Sequence, residues 1–190
     1  MNARALLTTG GLAALAVALA VSPAWAGSRE RDQKEIQKIH DETLKKLFKV
    51  QPSAKSAVEG AAGYAVFKNF GMKILVAGGG SGKGCAIDNA TKKMTYMKMV
   101  EVQAGLGMGV KKFALVWVFE TPEALRQFVE EGWTFGAQAS AAAKKGDEGK
   151  SYTGALAVAP GVWLYQLVED GLALEPTAKG TKYYKDDDLN

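Results

Sequence analysis

Cysteine and histidine are nearly missing from this chain of 190 residues, in which Cys85 and His40 are the single examples. One cysteine excludes an intrachain disulfide, and its apolar surroundings favour a buried, inert thiol over a thiol that links two copies of the chain. One histidine excludes a metal site made of several histidines. His40 also falls on the apolar side of a predicted helix, where we expect it to pack rather than to serve a catalytic triad. We therefore predict no metal and no cofactor.

A strong excess of charge is missing as well. The formal net charge is +4, and the lysines are scattered among carboxylates. A nucleic-acid-binding chain carries instead a basic arm or a basic and aromatic strand motif. We expect no nucleic-acid partner, although a mildly basic chain is compatible with anionic surfaces.

The glycine-rich segment at residues 77–84 lacks two of the residues that define a nucleotide-binding loop. A Walker A loop needs a glycine, four further residues and then Gly-Lys-Ser/Thr at the start of a helix. Ala77 stands at the first glycine position, and Gly84 stands where the hydroxyl residue should be. The residues that follow resemble a strand, a polar turn and a second strand rather than a helix. We expect no nucleotide, and we interpret residues 78–84 as a flexible bend or hairpin within a sheet.

The first 26 residues have the features of a secretory signal peptide. Arg4 precedes an apolar run at residues 5–21, and Ala24-Trp25-Ala26 has the pattern of a cleavage site. An uncleaved membrane anchor is the alternative. Cleavage predicts a periplasmic or secreted protein made of residues 27–190, a length that suits one domain.

Helical periodicity marks the segment that follows this cleavage site. Its lysines fall opposite its apolar residues, as in an amphipathic helix. A second short helix is predicted after Pro52, and a third between the N-cap Thr121 and Gly132, with Pro122 in the first turn. The apolar side of the first helix holds Ile36, Ile39, Thr43, Leu44, Leu47, Phe48 and Val50, and the opposite side holds Lys34, Lys38, Lys45 and Lys49.

Short strand patterns fill most of the remaining chain. Glycine alternates with apolar residues at Gly105, Gly107 and Gly109, so a strand there has one bare face. A bare face permits either a strongly curved, closely packed sheet or a groove for a flat ligand, and the first explanation is preferred. We expect an α+β fold with a strongly bent, mostly antiparallel sheet, barrel-like closure being an open alternative, on which the first and third helices pack. The predicted strands lie near residues 63–67, 72–77, 84–88, 94–102, 104–110, 113–119, 151–159, 162–168, 172–176 and 182–184.

The carboxylates supply acids for a hydrolase but no spacing that singles out a pair. We therefore expect no enzyme, and a carboxylate-based hydrolase is the minor alternative. The tail at residues 185–190 is interpreted as an acidic, solvated end rather than a Ca²⁺ site. The candidate acids are Asp88, Glu101, Glu120, Glu169 and Asp170.

Lysines near the glycine-rich segments suggest an anionic partner. Lys83 lies in the first segment, and Lys111 and Lys112 follow the second. Together with an amphipathic helix they fit attraction to an anionic membrane surface. Packing of that helix on its own sheet is the competing explanation.

Four further segments are GAAGYAVFKNFGMKILVAGGGSGKG, VQAGLGMGVKK, ALRQFVEEGWTFGAQASAAA and GLALEPTAKGTKYYKDDDLN. They resemble the SYLF-domain family, in particular its exported bacterial branch. The resemblance implies a lipid-binding module, because eukaryotic members bind phosphoinositides through the helical N-terminal part and basic residues, and some bind actin. For an exported bacterial protein we expect anionic phospholipids such as phosphatidylglycerol or cardiolipin as the corresponding ligands, glycosylated outer-leaflet lipids being the alternative.

The resemblance places lipid binding on the helix at residues 36–48. We expect non-enzymatic binding of anionic phospholipid or a membrane surface in the bacterial envelope. The alternative is a protein-interaction or scaffold module that recruits an envelope protein. The expected headgroup ligands are Lys38, Lys45, Lys46, Lys49, Lys83, Lys111 and Lys112, and the expected membrane-facing residues are Ile36, Ile39, Leu44, Leu47 and Phe48.

Overall fold

Three helices and nine strands make up the part of the chain that the computed structural model describes. That part comprises residues 23–74, 77–104, 109–135, 152–169, 171–173 and 180–190. The helices are α1 (Pro23–Val50), α2 (Ala54–Gly60) and α3 (Pro122–Glu130). The strands are β1 (Gly63–Ile74), β2 (Ala77–Asp88), β3 (Met94–Ala104), β4 (Gly109–Phe119), β5 (Trp133–Phe135), β6 (Leu156–Ala159), β7 (Val162–Val168), β8 (Gly171–Ala173) and β9 (Thr181–Lys185).

All nine strands belong to one antiparallel sheet. Its order is β5-β9-β3-β2-β1-β4-β7-β6, and β8 pairs with β7 beside this path. β1 pairs along its whole length with β2, and from Gly63 to Lys73 with β4, so the longest strands lie together. The sheet curls strongly into a half-barrel, which confirms the predicted α+β class.

The curl is visible in the rings that meet on one face of the sheet. β4 and β9 are four positions apart in the strand order, a separation of about 19 Å in a flat sheet. The ring centroids of Trp117 and Tyr183, on these two strands, are nevertheless 5.1 Å apart. We call this side the inner face and the opposite side the outer face.

The glycine-rich segment lies inside β2, so the predicted bend or hairpin at residues 78–84 was wrong. β2 begins at Ala77, before the glycines, and β1 runs through Met72, where a separate strand was expected. β2 is hydrogen-bonded to β1 on one edge and to β3 on the other. Pairing on both edges therefore outweighs the weak strand propensity of glycine.

The missing side chains of β2 leave room for larger neighbours on the inner face. A Cβ atom on Gly82 would lie 2.6 Å from the Met99 side chain, and one on Gly84 would overlap the Phe67 ring. The close-packing explanation for a glycine face thus applies to β2. The strand predicted at residues 104–110 around Gly105 and Gly107 lies partly outside the described residues.

Helix α3 covers the inner face and begins where the sequence predicts. The Thr121 hydroxyl accepts a hydrogen bond from the Ala124 amide at 3.2 Å, which caps the helix. Gly132 follows the helix with φ of 75°, a left-handed conformation that favours glycine. Phe128 is fully buried against the Trp117 and Phe119 rings, so α3 closes the aromatic core.

Helix α1 packs on the outer face. Ile36 is fully buried in a cluster with Cys85 and Ile87 of β2, and Leu47 is fully buried in another cluster that includes Val66 of β1. The helix starts at Pro23, inside the segment predicted to be removed on export. Packing on its own sheet, the competing explanation for its amphipathic pattern, is therefore what the structure has. None of the helices in the described residues is long and apolar enough to cross a membrane.

Part of the acidic tail is docked on the sheet, which corrects the sequence-based interpretation for Asp186 and Leu189, whereas Asp188 is exposed as expected. Asp186 is buried and lies 2.7 Å from the Lys98 ammonium, and Leu189 is buried beside β2. The Asn190 amide donates to the carbonyl oxygen of Tyr96 at 2.8 Å. The sequence of this short segment has no alternation of charged and apolar residues that would predict these contacts.

Candidate functional site

Three lysines stand side by side on the outer face, across three adjacent strands. Lys68 of β1 is paired in register with Lys83 of β2, which is paired in turn with Lys98 of β3. Residues directly opposite one another in antiparallel strands have Cβ atoms about 5 Å apart, and like charges there are destabilising. We call these three residues the lysine row. Its repulsion has to be offset by anionic groups.

Carboxylates from two ends of the chain neutralise two members of the row. The Lys83 ammonium lies 2.7 Å from Asp32 and 3.1 Å from Glu35, both on α1. The Lys98 ammonium lies 2.7 Å from Asp186 and 3.2 Å from Asp188. The pKa values of Lys83 and Lys98 are both raised above the ordinary value.

The hydrogen bonds dominate these two shifts. The bond to Asp32 contributes most to the raised pKa of Lys83, and the bond to Asp186 contributes most to that of Lys98. Both lysines are therefore ammonium ions throughout the neutral pH range.

Within the described residues, Lys68 makes no ion pair with a carboxylate. Its side chain is partly buried, and across the same ranges no hydrogen bond or salt bridge reaches it. It lies at the end of the row, next to Lys83, and both other members of the row are ion-paired. The row therefore holds one ammonium without an ion-pair partner in the described part of the chain, although Glu42 and Glu169 line a cavity beside it.

An open cavity of about 300 Å³ lies over the lysine row, and we call it the row cavity. Ammonium groups and hydroxyl groups line one part of it, and Ile39 and the exposed Val100 supply apolar surface. An anionic group with an apolar substituent matches such a lining. The polar lining side chains are Glu35, Lys68, Ser81, Lys83, Lys98 and Tyr184.

A second cavity of about 220 Å³ shares Lys68 with the first. Lys46, Lys112 and Glu169 line it, together with apolar atoms of Leu167. Lys46 also donates a hydrogen bond of 2.7 Å to the carbonyl oxygen of Val168, which fixes its position. Lys68 is thus the residue common to both openings beside α1.

Six of the seven predicted headgroup lysines fall into three groups. Lys83 belongs to the lysine row, while Lys46 and Lys112 line the second cavity. On the solvent side of α1, Lys38 pairs with Glu42 at 3.7 Å, and Lys45 and Lys49 are exposed. Lys111 belongs to β4, and its side chain lies outside the described part.

Sequence reasoning missed Lys68 and Lys98. Each occupies a strand position between buried residues, as Lys98 does between Met97 and Met99, and this alternation places the lysine on the opposite face. That pattern was a usable signal. The register that makes the two lysines neighbours of Lys83 was not available from the sequence.

The predicted membrane-facing residues are distributed between the core and the row cavity. Ile36 and Leu47 are fully buried, Leu44 and Phe48 pack partly buried against the Leu47 cluster, and Ile39 lines the row cavity. Ile36 and Leu47 therefore reach a membrane only if α1 leaves the sheet. The burial of these two side chains opposes that step.

Two of the candidate acids singled out by the sequence have structural roles, and a third, Asp170, lies outside the described residues. Asp88 accepts the amide hydrogens of Ala90 and Thr91, and the bond from Thr91 contributes most to lowering its pKa. Glu101 is fully buried and accepts a hydrogen bond from the Asn69 amide. No group of three metal-ligating side chains occurs within the described residues.

Cys85 and His40 pack as expected. Cys85 is fully buried, which confirms the predicted burial, and burial raises the pKa of its thiol to about 12, as expected for an unreactive thiol. The His40 ring stacks on Tyr64 at 5.7 Å, and its Nε2 lies 3.0 Å from the Tyr64 hydroxyl.

Comparison with known proteins gives this surface a family context. Residues 100–190 match the family Ysc84, described as Las17-binding protein actin regulator. Over 156 residues the chain is 34% identical to Beta cell expansion factor A of Aeromonas veronii. The chain belongs to the SYLF-domain family. The aligned SYLF region covers 81% of this chain but 57% of the relative.

The family match and the lysine row occupy different parts of this SYLF chain. The matched residues include the last five residues of β3, then β4, α3, β5 to β9 and the tail, but neither α1 nor β2. Lys112 lies inside the match, whereas the whole lysine row lies before residue 100.

Proposed function

We propose that this SYLF-domain chain binds anionic phospholipid at a membrane surface of the bacterial envelope without catalysing a reaction. The signal-peptide pattern of residues 1–26 supports a periplasmic or secreted location for residues 27–190. The family is described by binding and regulation rather than by a reaction. In a bacterial envelope, anionic phospholipid is a partner available to a basic surface.

The proposal rests on the exposed lysines on the solvent side of α1. Four exposed lysines lie within about 60° of one another around the helix axis, opposite the fully buried Ile36. A membrane surface attracts such lysines by about 1 kcal/mol each. Because Ile36 and Leu47 stay in the core, this contact needs no release of the helix. The four residues, which we call the helix stripe, are Lys34, Lys38, Lys45 and Lys49.

The test is co-sedimentation of the exported protein with liposomes. Zwitterionic vesicles are compared with vesicles that contain phosphatidylglycerol or cardiolipin, at low and moderate salt. Binding should require the anionic lipid and weaken as salt rises, because exposed charges are screened beyond about 10 Å at 0.1 M salt. Absence of binding to every anionic vesicle would contradict the proposal.

A charge-matched pair of variants assigns the binding to the helix stripe. Replacing Lys38, Lys45 and Lys49 by glutamine should weaken binding by about 100-fold, from about 1 kcal/mol for each lysine. The control replaces Lys55, Lys92 and Lys93, which are exposed outside α1, by glutamine. Equal losses in the two variants would show that net charge alone, rather than the stripe, determines binding.

The family description favours a second candidate, a protein-interaction module, because it names a protein partner. Such a module would recruit an envelope protein through an apolar interface. Binding of that kind should respond little to salt. Salt-resistant recovery of one envelope protein, together with no retention on anionic vesicles, would favour this candidate over phospholipid.

A further inference from the structure

We propose that the lysine row is a binding site for a phosphate-type anion, and that Asp32 and Glu35 of α1 occupy it in the absence of that anion. The proposal deepens the proposed function and rests on it where the phosphate belongs to a lipid headgroup. It concerns the sheet beneath α1, whereas the helix stripe lies on the solvent side of the helix.

The donors around the row cavity suit a phosphate group. Lys68 offers an ammonium with no ion-pair partner across the described ranges, Lys83 lies next to it in register, and Lys98 lies next to Lys83. The Ser81 hydroxyl and the Tyr184 phenol line the same cavity and can donate hydrogen bonds. Several charge-assisted donors converging on one opening favour an anion with several oxygens and more than one negative charge.

The lining also indicates the kind of substituent that the phosphate carries. A cavity of about 300 Å³ is larger than a phosphate ion needs. Ile39 and Val100 supply apolar surface at the opening, and Val100 is 40% exposed. A phosphate ester with an apolar part would fill both portions, although free phosphate shares the same charged contacts.

The carboxylates of α1 hold Lys83 in a way that a ligand can replace. Asp32 and Glu35 are three residues apart on the helix, so both reach one ammonium, as two phosphate oxygens would. The side chains are substantially exposed, at 43% for Lys83 and 39% for Asp32. Ion pairs this exposed contribute little to stability, so their exchange for a phosphate costs little.

Exchange of these partners would act on α1 itself. Asp32 and Glu35 flank Gln33, whose side chain donates to the carbonyl oxygen of Leu189 at 2.8 Å. An anion that takes Lys83 from the two carboxylates removes ion pairs from this half of the helix. Because these exposed ion pairs contribute little to stability, binding in the row cavity should weaken the docking of this half of the helix only slightly, while the fully buried Ile36 and Leu47 keep α1 on the sheet.

The experiment measures the affinity of the full exported protein for two soluble probes, inorganic phosphate and monomeric dihexanoyl phosphatidylglycerol, by calorimetry at millimolar concentrations. Lys68→Met should weaken the binding of each probe at least tenfold. Asp32→Asn combined with Glu35→Gln should strengthen it about tenfold, because the competing carboxylates are gone. Lys55→Met, on α2 and away from the row, is the matched control and should leave affinity unchanged.

The results separate this proposal from the proposed function. Tighter binding of the lipid probe than of phosphate would identify a headgroup site, and equal binding would identify a phosphate site. Both outcomes support anion binding at the lysine row. No binding of either probe, or affinities that Lys68→Met and the double variant leave unchanged, would overturn it. Loss of vesicle binding in the helix-stripe variant with intact probe binding would show that the two surfaces act independently. A gain of affinity in the double variant cannot arise from misfolding.

Discussion

The two faces of this sheet are built from alternate residues of the same strands, yet they are very different surfaces. In β1, Phe67 points to the inner face and joins an aromatic cluster, and the next residue, Lys68, points to the outer face and stands between two cavities. The inner face is covered by α3 through Phe128. The outer face is covered by α1 through a few buried residues, with ion pairs and open space between them.

The comparison shows how one sheet can separate stability from recognition. Because neighbouring residues of a strand point to opposite faces, lysines can accumulate on one face without entering the aromatic core on the other. Substitutions on the inner face should therefore alter the free energy of unfolding. Substitutions of outer-face lysines should chiefly alter binding.

The largest effect that would test this division is expected for Phe128→Ala. The side chain is fully buried among Phe67, Trp117 and Tyr183, and its removal leaves a cavity that the curled sheet cannot close. The free energy of unfolding should fall by about 3–5 kcal/mol, measured by urea denaturation. Arg126→Ala, on the exposed side of the same helix, should change it by less than about 0.5 kcal/mol. Similar losses of unfolding free energy in the two variants would contradict the assignment of stability to the inner face.

A smaller effect is expected when a methyl group is added to the inner face of β2. Gly84→Ala would press a Cβ atom against the Phe67 ring and the Val66 carbonyl oxygen, which are fixed by the core. Overpacking of this kind should cost about 1–3 kcal/mol in urea denaturation. The control is Gly60→Ala in α2, where a Cβ meets no atom within 4 Å, and it should not destabilise the protein. An unchanged midpoint for Gly84→Ala would mean that the glycine face does not carry close packing.

The smallest effect concerns a thiol beneath α1 on the outer face. Burial raises the pKa of Cys85 from 9.0 to about 12, so at alkaline pH the unfolded chain loses this proton before the folded chain does. The contribution of the protonated thiol to the free energy of unfolding is complete below pH 9 and is lost as pH rises from about 9 to 12. The expected decline is about 1.4 kcal/mol per pH unit.

Urea denaturation at pH 8, 10 and 11 measures this decline. Cys85→Ala removes the thiol and should give a shallower loss of stability by about the same slope. The buried phenol of Tyr165, with its pKa raised to about 12, remains in both proteins and adds an equal decline above pH 10. Parallel curves for the two proteins would show that Cys85 is open to solvent.

Local signals in the sequence predicted α3 and most of the sheet. Thr121, Pro122 and Gly132 mark the ends of α3 by chemistry that acts within a few residues. Prediction from local composition was wrong at residues 78–84. Glycines usually disfavour a strand, but here they are paired with two long neighbouring strands, β1 and β3. The partners that hold this segment in a strand are distant in sequence, so its own composition could not reveal them.

The candidate site was predicted only in part for the same reason. Lys83 was identified because it lies in a conspicuous segment, but Lys68 and Lys98 become its neighbours through register alone. A shift of one residue in either pairing would place them on the other face. The helix stripe was visible because helical periodicity is local, whereas the burial of Ile36 and Leu47 depended on the sheet surface beneath them.

The tail that docks beside β3 links the first helix to the last residues of the chain. Arg29 donates a hydrogen bond of 2.7 Å to the carbonyl oxygen of Asn190, and Gln33 donates to that of Leu189, across separations of 161 and 156 positions. The beginning of α1 is synthesised before residues 189 and 190, so it cannot form these bonds until those residues have been made. Until then, the helix that bears the helix stripe would be held chiefly by its second half, so its first turns should dock after that half.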